Sequence, residues 1–309
     1  MRAIYLERKA GPESLTLGDI PKPSPKEGEV LVKVYATSVM PTEFNWYPTF
    51  HTAAGEPRPF PIVLSHELCG KVEAVGANVN RLNIGDVVYG MNDWFTNGAQ
   101  ADYCVAPASA LARSPKSLEH TRSAVVPISA LTAWQGLFDR AGLQGSQRIL
   151  IHGGSGAVGT FAVQLARWRG AHVIATTSGG SLDFVRSLGA NEVIDYQTTR
   201  FEDEVYDLDV VFDSVGSDTL SRSWDLLRAG GKLVTIVSQL GEHVEKRARD
   251  AFMLVQANGS QLARISELID GGVLRVYSEG VFPLDRARDA YERARRGRMR
   301  GKIALSVVG

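Results

Sequence analysis

Short apolar runs with alternating polar positions fill the first third of the chain. In residues 29–36, three valines at every second position share one face, which is the period of a β-strand. Residues 71–75 and 86–89 are further runs of this kind, each bounded by glycine. Of the 13 prolines, 11 precede residue 118. Because proline cannot donate to a sheet ladder or continue a helix, short strands and loops are predicted here.

From about Ser123 the pattern changes to a succession of strands, turns and helices. The apolar run 148–152 precedes the glycine-rich turn 153–159, and apolar positions at helical spacing follow the turn. Further strands are expected at residues 172–177, 193–195, 209–215 and 232–237, with helices at 182–188 and 220–227. This alternation indicates a parallel sheet covered on both faces. The remaining chain is mixed, with helices expected at 261–269 and 286–296 and extended segments at 273–277 and 302–307.

Composition places the chain among ordinary globular proteins, with 309 residues, 44% apolar and 22% charged. A formal net charge of +0 gives no electrostatic reason to expect nucleic acid or a membrane surface as a partner. No apolar run approaches the ~18–20 residues that span a bilayer, and the first residues lack the apolar core of a signal peptide. Cys69 and Cys104 are too few for a disulfide framework. We therefore expect a cytoplasmic protein with two reduced thiols.

The glycine-rich turn is the strongest chemical signal in the sequence. It reads Gly154-Ser155-Gly156-Ala157-Val158-Gly159, which satisfies G-x-G-x-x-G. An apolar strand precedes it and an amphipathic helix follows it, as in dinucleotide-binding folds. The glycines allow a tight turn and a close approach to a pyrophosphate, which the helix N-terminus attracts. The alternative is a tight turn without a ligand.

The end of the second strand favours NADPH over NADH. NAD-binding units carry an acid about 20 residues beyond the glycines, where it accepts from the ribose 2′-hydroxyl. Here Thr177 and Ser178 are followed by two glycines, and no acid is present. Hydroxyl and N–H groups donate to a 2′-phosphate, although no Arg or Lys stands in the turn to add positive charge. Tyr196, after the third strand, is a further candidate contact at the adenosine end.

Several short motifs recur in an order typical of one family. They are Gly76-x-x-Val79, Gly85-Asp86-x-Val88-x-Gly90, the loop from His152 to Gly159, Phe282-Pro283-Leu284 and Gly301-Lys302-Ile303. In these the chain resembles the medium-chain dehydrogenase/reductase superfamily, in its zinc-free, zeta-crystallin-like quinone oxidoreductase branch. The resemblance implies an α/β protein with a β-rich GroES-like catalytic domain from residues 1–122 and 258–309. Residues 123–257 would form a Rossmann domain with a doubly wound parallel sheet.

A zinc site is the main alternative within that superfamily, whose alcohol dehydrogenases carry a Cys ligand and a Gly-His-Glu motif. This chain keeps His66 and Glu67, but Met40 stands where the cysteine would be. A thioether is a poor zinc ligand, and we expect no metal. Glu43, His66 and Glu67 leave open a weak site, and with it a zinc-dependent alcohol dehydrogenase with altered ligands.

The loop after residue 40 is expected to line the substrate pocket, as the resemblance implies. Glu43 stands where the family usually has Asp, and Tyr47 where Arg is frequent. Tyr47 and Thr42 are candidate proton or hydrogen-bond donors, although Tyr47 would also suit aromatic packing. The candidate pocket residues are Met40, Glu43, Trp46, His66 and Trp94.

The resemblance also implies the contacts at the nicotinamide end of the cofactor. Thr132 occupies the position where relatives contact the nicotinamide, although it would equally suit a hydroxyl at a helix start. Ser214 and Val215 are expected near the nicotinamide ribose, and Ser238 is a further expected contact. The superfamily commonly pairs edge strands into homodimers, and the apolar run 252–255 is a candidate edge.

The sequence thus predicts an NADPH-dependent oxidoreductase that transfers hydride to a quinone or another conjugated carbonyl, such as an enone or aldehyde. Its partner would be a small-molecule substrate. Besides the zinc enzyme, the alternative is an NADPH-binding protein without turnover, because a fold does not guarantee chemistry.

Overall fold

The computed structural model describes residues 1–237, 246–297 and 299–307. The chain divides into two compact units, which we call the GroES-like unit and the nucleotide unit. The GroES-like unit contains Met1–Ile128 and Ala257–Gly309, and the nucleotide unit contains Ser129–Gln256. These limits lie at residues 128 and 257, where the sequence pattern had suggested 122 and 258.

The GroES-like unit is built from a small antiparallel sheet and a large mixed sheet. Its strands are β1 (Arg2–Leu6), β2 (Leu15–Asp19), β3 (Glu29–Ser38), β4 (Ile62–Val63), β5 (Glu67–Val75), β6 (Val87–Met91), β7 (Tyr103–Pro107) and β8 (Leu111–Arg113). The C-terminal segment adds two strands, β14 (Ser278–Pro283) and β15 (Lys302–Ser306). The strands β9 to β13 belong to the other unit and are described below. The small sheet has the order β2-β1-β4, and the large one β14-β15-β3-β5-β6-β8, with β7 paired to β3. Because β15 pairs with β3, the C-terminal segment completes the sheet that the N-terminal segment begins.

Helices close the GroES-like unit around its apolar core. They are α1 (Tyr47–Phe50), α2 (His120–Ser123), α9 (Gly259–Asp270) and α10 (Ala287–Arg295). Tyr291 of α10 is fully buried in the core with Leu6, Ile62 and Leu68. The alternation predicted in residues 29–36 is clearest where Lys33 is exposed and the valines on either side are buried.

The nucleotide unit is a five-stranded sheet whose strands all run parallel to their neighbours. The strands are β9 (Arg148–His152), β10 (His172–Thr177), β11 (Glu192–Asp195), β12 (Leu208–Asp213) and β13 (Leu227–Thr235). Their order is β11-β10-β9-β12-β13. The chain moves from β9 to β11 on one side and returns to β12 on the other, so the order reverses beside β9. In open α/β sheets, ligands bind at this reversal, outside the carboxyl ends of the strands.

Helices pack against the parallel sheet and bury its apolar side chains. They are α3 (Pro127–Trp134), which begins at the end of the GroES-like unit, α4 (Ala157–Trp168), α5 (Leu182–Ser187), α6 (Phe201–Glu204), α7 (Ser217–Ser223) and α8 (Lys246–Ala251). Leu150, Ile174 and Val211 of the central strands are fully buried. Over the residues that the structure describes, no helix has the length and apolar character needed to cross a membrane.

Two segments differ from the sequence expectation. Residues 273–277 do not form a strand, and β14 begins at Ser278, where pairing with Lys302 of β15 starts. The apolar alternation of that segment reflects burial of Leu274 and Val276 without a sheet partner. The helix expected at 220–227 begins earlier, after Gly216, and the helical segment ends by Leu226 because Leu227 is already paired with β12.

The apolar run 252–255, a candidate edge strand, is not a strand in the structure. Phe252 forms one isolated parallel bridge with Thr235 at the end of β13. Val255 is buried, whereas Leu254 is 55% exposed. The run therefore lies beside the edge of the sheet without extending it.

A buried ion pair joins the two ends of the GroES-like unit. Glu67 at the start of β5 is fully buried, and its Oε1 accepts a hydrogen bond from Nζ of Lys302 on β15. The other oxygen accepts from the backbone N–H of Ile128 at 2.8 Å, within the first turn of α3. Both oxygens of the carboxylate are therefore satisfied, which offsets the cost of burying the charge.

We expect Lys302→Met to destabilise the protein by about 3–5 kcal/mol, because it leaves the Glu67 charge buried without its cation. The double variant Lys302→Met, Glu67→Gln should recover much of that loss, since a neutral amide oxygen can still accept from Ile128. Urea unfolding followed by tryptophan fluorescence measures both. A single variant as stable as the parent chain would contradict this account of the pair.

Candidate active site: a dinucleotide loop and a buried Glu-His pair

The glycine loop lies at the carboxyl end of β9, beside the reversal of strand order. Gly153 has a φ of +78°, which glycine adopts without strain. The N–H of Gly154 donates to the carbonyl of Thr176 on β10 at 2.9 Å. A Cβ on Gly159 would lie 2.0 Å from the carbonyl oxygen of Gly153. Helix α4 therefore begins directly after the turn, with its first N–H groups at the end of the strand.

His152, the last residue of β9, supports the glycine loop through its side-chain hydrogen bonds. It is fully buried, with Nδ1 3.1 Å from Thr176 Oγ1 and Nε2 3.0 Å from Ser223 Oγ. Ser223 donates its own hydrogen to the carbonyl of Thr219, so Nε2 of His152 carries the hydrogen and Nδ1 accepts. Burial lowers the pKa of His152 to about 4. A neutral, fully hydrogen-bonded ring thus holds the end of β9.

The turn after β12 lies against the glycine loop. Asp213 is fully buried, and Oδ1 accepts from the N–H groups of Val215 and Gly216, each at 3.0 Å. Its Oδ2 accepts from Thr235 Oγ1 at 2.8 Å. Ser214 donates to the carbonyl of His152 at 2.7 Å. A Cβ on Gly153 would lie 2.6 Å from Ser214 Oγ, so the two turns touch.

The structure brings the predicted residues of the adenosine end together at the ends of β10 and β11. Thr177 is buried, and its hydroxyl donates to Ser155 Oγ at 2.9 Å. Ser178 follows at the partly exposed end of β10, and the N–H of Tyr196 donates to the carbonyl of Thr177 at 3.2 Å. The Tyr196 side chain is 59% exposed. Thr177 therefore fixes Ser155 in the loop, while Ser178 and Tyr196 lie nearer the surface.

Two predicted cofactor residues remain, Thr132 and Ser238. Thr132 lies in α3 of the nucleotide unit and is buried. Ser238 lies outside the described residues.

In the GroES-like unit, Glu43 and His66 form a buried pair. Glu43 lies in a short 3-10 helix (Pro41–Asn45), and its Oε1 accepts from the N–H of Ser65 at 2.9 Å. The same oxygen is 3.5 Å from Nε2 of His66. Burial raises the pKa of the Glu43 carboxyl to about 8 and lowers that of His66 to about 4. At neutral pH the proton therefore resides on Glu43.

Asn92 determines the tautomer of His66. The side-chain N–H of Asn92 donates to the carbonyl of Asn97 at 2.7 Å, so its Oδ1 is the atom 2.9 Å from Nδ1 of His66. Nδ1 consequently carries the hydrogen, and the unprotonated Nε2 faces the Glu43 acid. The acid and the ring are thus both neutral, with Oε1 of Glu43 3.5 Å from Nε2 of His66.

Aromatic side chains adjoin this pair. The rings of His66 and Trp94 are 5.2 Å apart, and Trp94 meets Trp46 edge-on at the same distance. Met40 is buried at the start of the 3-10 helix, whereas Thr42 is exposed. Tyr47 is 58% exposed and its ring stacks on His51 at 4.1 Å.

The donor set in this region does not fit a zinc ion. Both oxygens of Glu67 are bonded to Lys302 and Ile128. The thioether of Met40 is a weak ligand, and one nitrogen of His66 is bonded to Asn92. No group of three or more His, Cys, Asp or Glu residues that could hold a metal occurs in the part of the chain that the structure describes.

A glycine loop at the switch point of a parallel sheet, in a chain that also has a β-rich unit built from both chain ends, defines a two-domain dehydrogenase or reductase. Two family models match the chain. The alcohol dehydrogenase GroES-like domain matches residues 26–116, and the zinc-binding dehydrogenase matches residues 188–305. A probable zinc-binding oxidoreductase, mitochondrial, of Arthroderma benhamiae is 33% identical over 96% of this chain and 94% of its own. A 2-methylene-furan-3-one reductase of Solanum lycopersicum is 30% identical over 93% and 74%.

Solved structures of oxidoreductases are also similar to this chain. The quinone oxidoreductase of Coxiella burnetii has a TM-score of 0.90 and 29% identity, covering 100% of this chain and 99% of its own. A mycobacterial protein solved in complex with NADPH has a TM-score of 0.85 and 27% identity, covering 99% and 100%. The chain belongs to the medium-chain dehydrogenase/reductase superfamily, and it is an oxidoreductase of the quinone oxidoreductase type. The family and fold class predicted from the motifs are confirmed.

Sequence reasoning missed the residues that support the loops. His152 stood inside a quoted motif and Asp213 inside the strand expected at 209–215, but only the structure gives them partners. Asp195, at the end of β11, was also not singled out. A polar residue at the carboxyl end of an apolar strand was the available signal in each case.

We expect Gly159→Ala to weaken binding of NAD(P)H by about 10- to 100-fold, because the added Cβ must displace the loop backbone by about an ångström or more. Fluorescence titration with NADPH and NADH measures the effect. Gly280→Ala is the matched control, since its Cβ would come no closer than 3.8 Å to Phe282. Unchanged nucleotide affinity in Gly159→Ala, with an unchanged far-UV CD spectrum, would contradict the loop assignment.

Glu43→Gln should gain stability relative to the parent chain as pH rises from 5 to 8. The folded pKa of Glu43 is raised to about 8, against 4.5 in a model compound, so its stabilising contribution is present below 4.5 and lost as pH approaches 8. The relative gain should be about 1–4 kcal/mol. Thermal unfolding across this range measures it, with Glu292→Gln on the exposed face of α10 as control. A difference that does not vary with pH would refute a neutral Glu43.

Proposed function

We propose that the chain is an NADPH-dependent reductase that transfers a hydride to a quinone or another conjugated carbonyl, such as an enone or aldehyde, without zinc. The observation that carries the proposal is the glycine loop at the switch point of the parallel sheet, with the start of α4 directly behind it. A nicotinamide dinucleotide bound there supplies the hydride. The names of the tomato reductase and the Coxiella quinone oxidoreductase support the acceptor class.

The residues that hold the cofactor follow the ends of the parallel strands. The N–H groups of the loop and the partial positive charge at the start of α4 bind the pyrophosphate. Ser155 donates its hydroxyl from a position fixed by Thr177. The proposed contacts are Gly154, Ser155, Gly156, Ala157, Val158 and Gly159 for the pyrophosphate, Thr177, Ser178 and Tyr196 for the adenosine end, and Ser214, Val215, Thr132 and Ser238 for the nicotinamide end.

NADPH is the proposed cofactor because the end of β10 carries Ser178 and two glycines and no acid. A hydroxyl and backbone N–H groups donate to a 2′-phosphate, whereas a carboxylate at that position would repel it. The mycobacterial structure in complex with NADPH supports this choice.

On the acceptor side, the half-buried Trp46 and Trp94 offer flat apolar surfaces that suit a planar conjugated carbonyl. Met40, Glu43 and His66 lie behind them as the floor of the proposed pocket. Hydride addition leaves negative charge on the carbonyl oxygen, and one proton completes the reduction. Tyr47 is the proposed donor, with solvent or the Thr42 hydroxyl as the alternative source. The reduced product is a hydroquinone, a saturated carbonyl or an alcohol.

Operation without zinc is supported by the donor chemistry around Met40 and by the two bonds that occupy Glu67. A charge-neutral Glu43-His66 pair stands where a zinc enzyme would need anionic or free ligands. The chain's own hydrogen-bond donors must therefore orient the acceptor.

We further propose that the protein is a homodimer and that it is cytoplasmic. The sheet edge beside β13 offers a surface for pairing, with Leu254 exposed next to it. Both cysteines are free and buried, and burial raises the pKa of each thiol to about 12, so reduced thiols suit a reducing compartment. Some relatives carry mitochondrial or chloroplastic names, and the compartment stays a prediction.

NADPH oxidation assayed with quinones, enones and aldehydes should show turnover with at least one class. Tyr47→Phe should then lower kcat about 10- to 100-fold with little change in KM, because it removes a proton donor and leaves the ring in place. An unchanged kcat would rule out Tyr47 as the donor and assign the proton to solvent or to the Thr42 hydroxyl.

Two outcomes would overturn the proposal. Tight NADPH binding without turnover on any class would indicate a non-catalytic NADPH-binding protein. About one zinc per chain in protein prepared without chelators, by metal analysis, would restore the zinc-dependent alcohol dehydrogenase.

A further inference from the structure

A carboxylate lies beside the adenosine end of the nucleotide site, although none is present in the turn that follows β10. Strands β10 and β11 are parallel neighbours, and Thr177 pairs in register with Asp195. Both strands end at this level, so Asp195 stands one strand away from the position at which dinucleotide-binding folds discriminate the ribose 2′ group.

The Asp195 side chain points back toward the turn after β10. A Cβ built on Gly179 would lie 2.6 Å from Oδ2 and 3.5 Å from Cγ of Asp195. The carboxylate therefore packs against the backbone of Gly179, in space that any other residue at 179 would fill. Gly179 directly follows Ser178, one of the proposed 2′-phosphate contacts.

The position of this carboxylate is fixed by its own turn. Oδ1 accepts from the N–H of Gln197 at 3.0 Å, and the carbonyl of Asp195 accepts from the N–H of Thr199 at 2.9 Å. No ion pair joins Asp195 to a Lys, Arg or His among residues 1–237, 246–297 and 299–307. Arg186 pairs with Asp183, and Arg200 pairs with Glu202 and Asp203. Within these described ranges, no cation is paired with the charge of Asp195.

We propose that Asp195 is a specificity-determining residue that limits the preference for NADPH and makes NADH a working second cofactor. This rests on the proposed function, because it requires a dinucleotide in the loop. A 2′-phosphate carries up to two negative charges and is repelled by the carboxylate. The neutral 2′-hydroxyl of NADH is not repelled, and it can donate to a carboxylate within reach.

The test measures binding as well as turnover. Dissociation constants for NADPH and NADH, and for adenosine 2′,5′-bisphosphate and 5′-AMP as fragments, are determined by fluorescence and calorimetry in the parent chain and in Asp195→Asn. We expect Asp195→Asn to tighten NADPH and the bisphosphate by about 10-fold at low salt, with less than about 3-fold change for NADH and 5′-AMP. Added salt should reduce the difference, because it screens the repulsion.

Two further variants separate charge from structure. Asp203→Asn removes the same charge from an exposed position on α6 and should leave the NADPH-to-NADH ratio unchanged. Asp195→Glu retains the negative charge and should keep the NADPH-to-NADH ratio close to that of the parent chain. Should Asp195→Asn fail to fold, Asp195→Ser removes the same charge, retains a polar side chain at the turn and is expected to shift the ratio in the same direction.

An unchanged ratio in folded Asp195→Asn, or an equal shift in Asp203→Asn, would overturn the inference while leaving the reductase proposal intact. A parent chain that binds neither dinucleotide would overturn both.

Discussion

The close approach of backbone to backbone in the glycine loop is the constraint on which the nucleotide unit depends. Helix α4 starts at the end of β9 only because a Cβ is absent at Gly159, where it would lie 2.0 Å from the carbonyl oxygen of Gly153. The hydrogen bonds of the buried, neutral His152 and the buried Asp213 fix the two adjoining turns. The first N–H groups of a helix have no partner within the helix, which is what a pyrophosphate requires.

The GroES-like unit handles its buried acids in two physically different ways. Glu67 keeps its charge, because Lys302 and the N–H of Ile128 compensate it. Glu43 has one backbone donor and no Lys or Arg paired with it in the described part of the chain, so burial favours its protonated form. Neither acid is left as a free anionic ligand. A zinc enzyme would need the opposite arrangement, in which carboxylate, imidazole or thiolate lone pairs converge on one point.

The candidate site was only partly predictable from the sequence. The G-x-G-x-x-G pattern gave the loop, since glycine spacing maps directly onto backbone geometry. Thr177 was expected to contact the cofactor, but its hydroxyl is bonded to Ser155, and sequence spacing cannot show such a partner. The search for an acid that would select NADH covered only the end of β10, and it overlooked Asp195, because a neighbouring strand brings its residues alongside only in the folded sheet.

By itself the sequence determined the family and the class of the fold, and it predicted a division into two domains and the place of a dinucleotide loop. These follow from local periodicity, from proline and glycine positions and from motif order, all of which act over short stretches of chain. The tertiary structure decided which polar groups are neutral, which are paired and which charge lies beside the adenosine end. Burial and pairing between Glu43 and His66, Glu67 and Lys302, or Asp195 and Gly179 join residues distant in sequence, so their chemistry is set by folding.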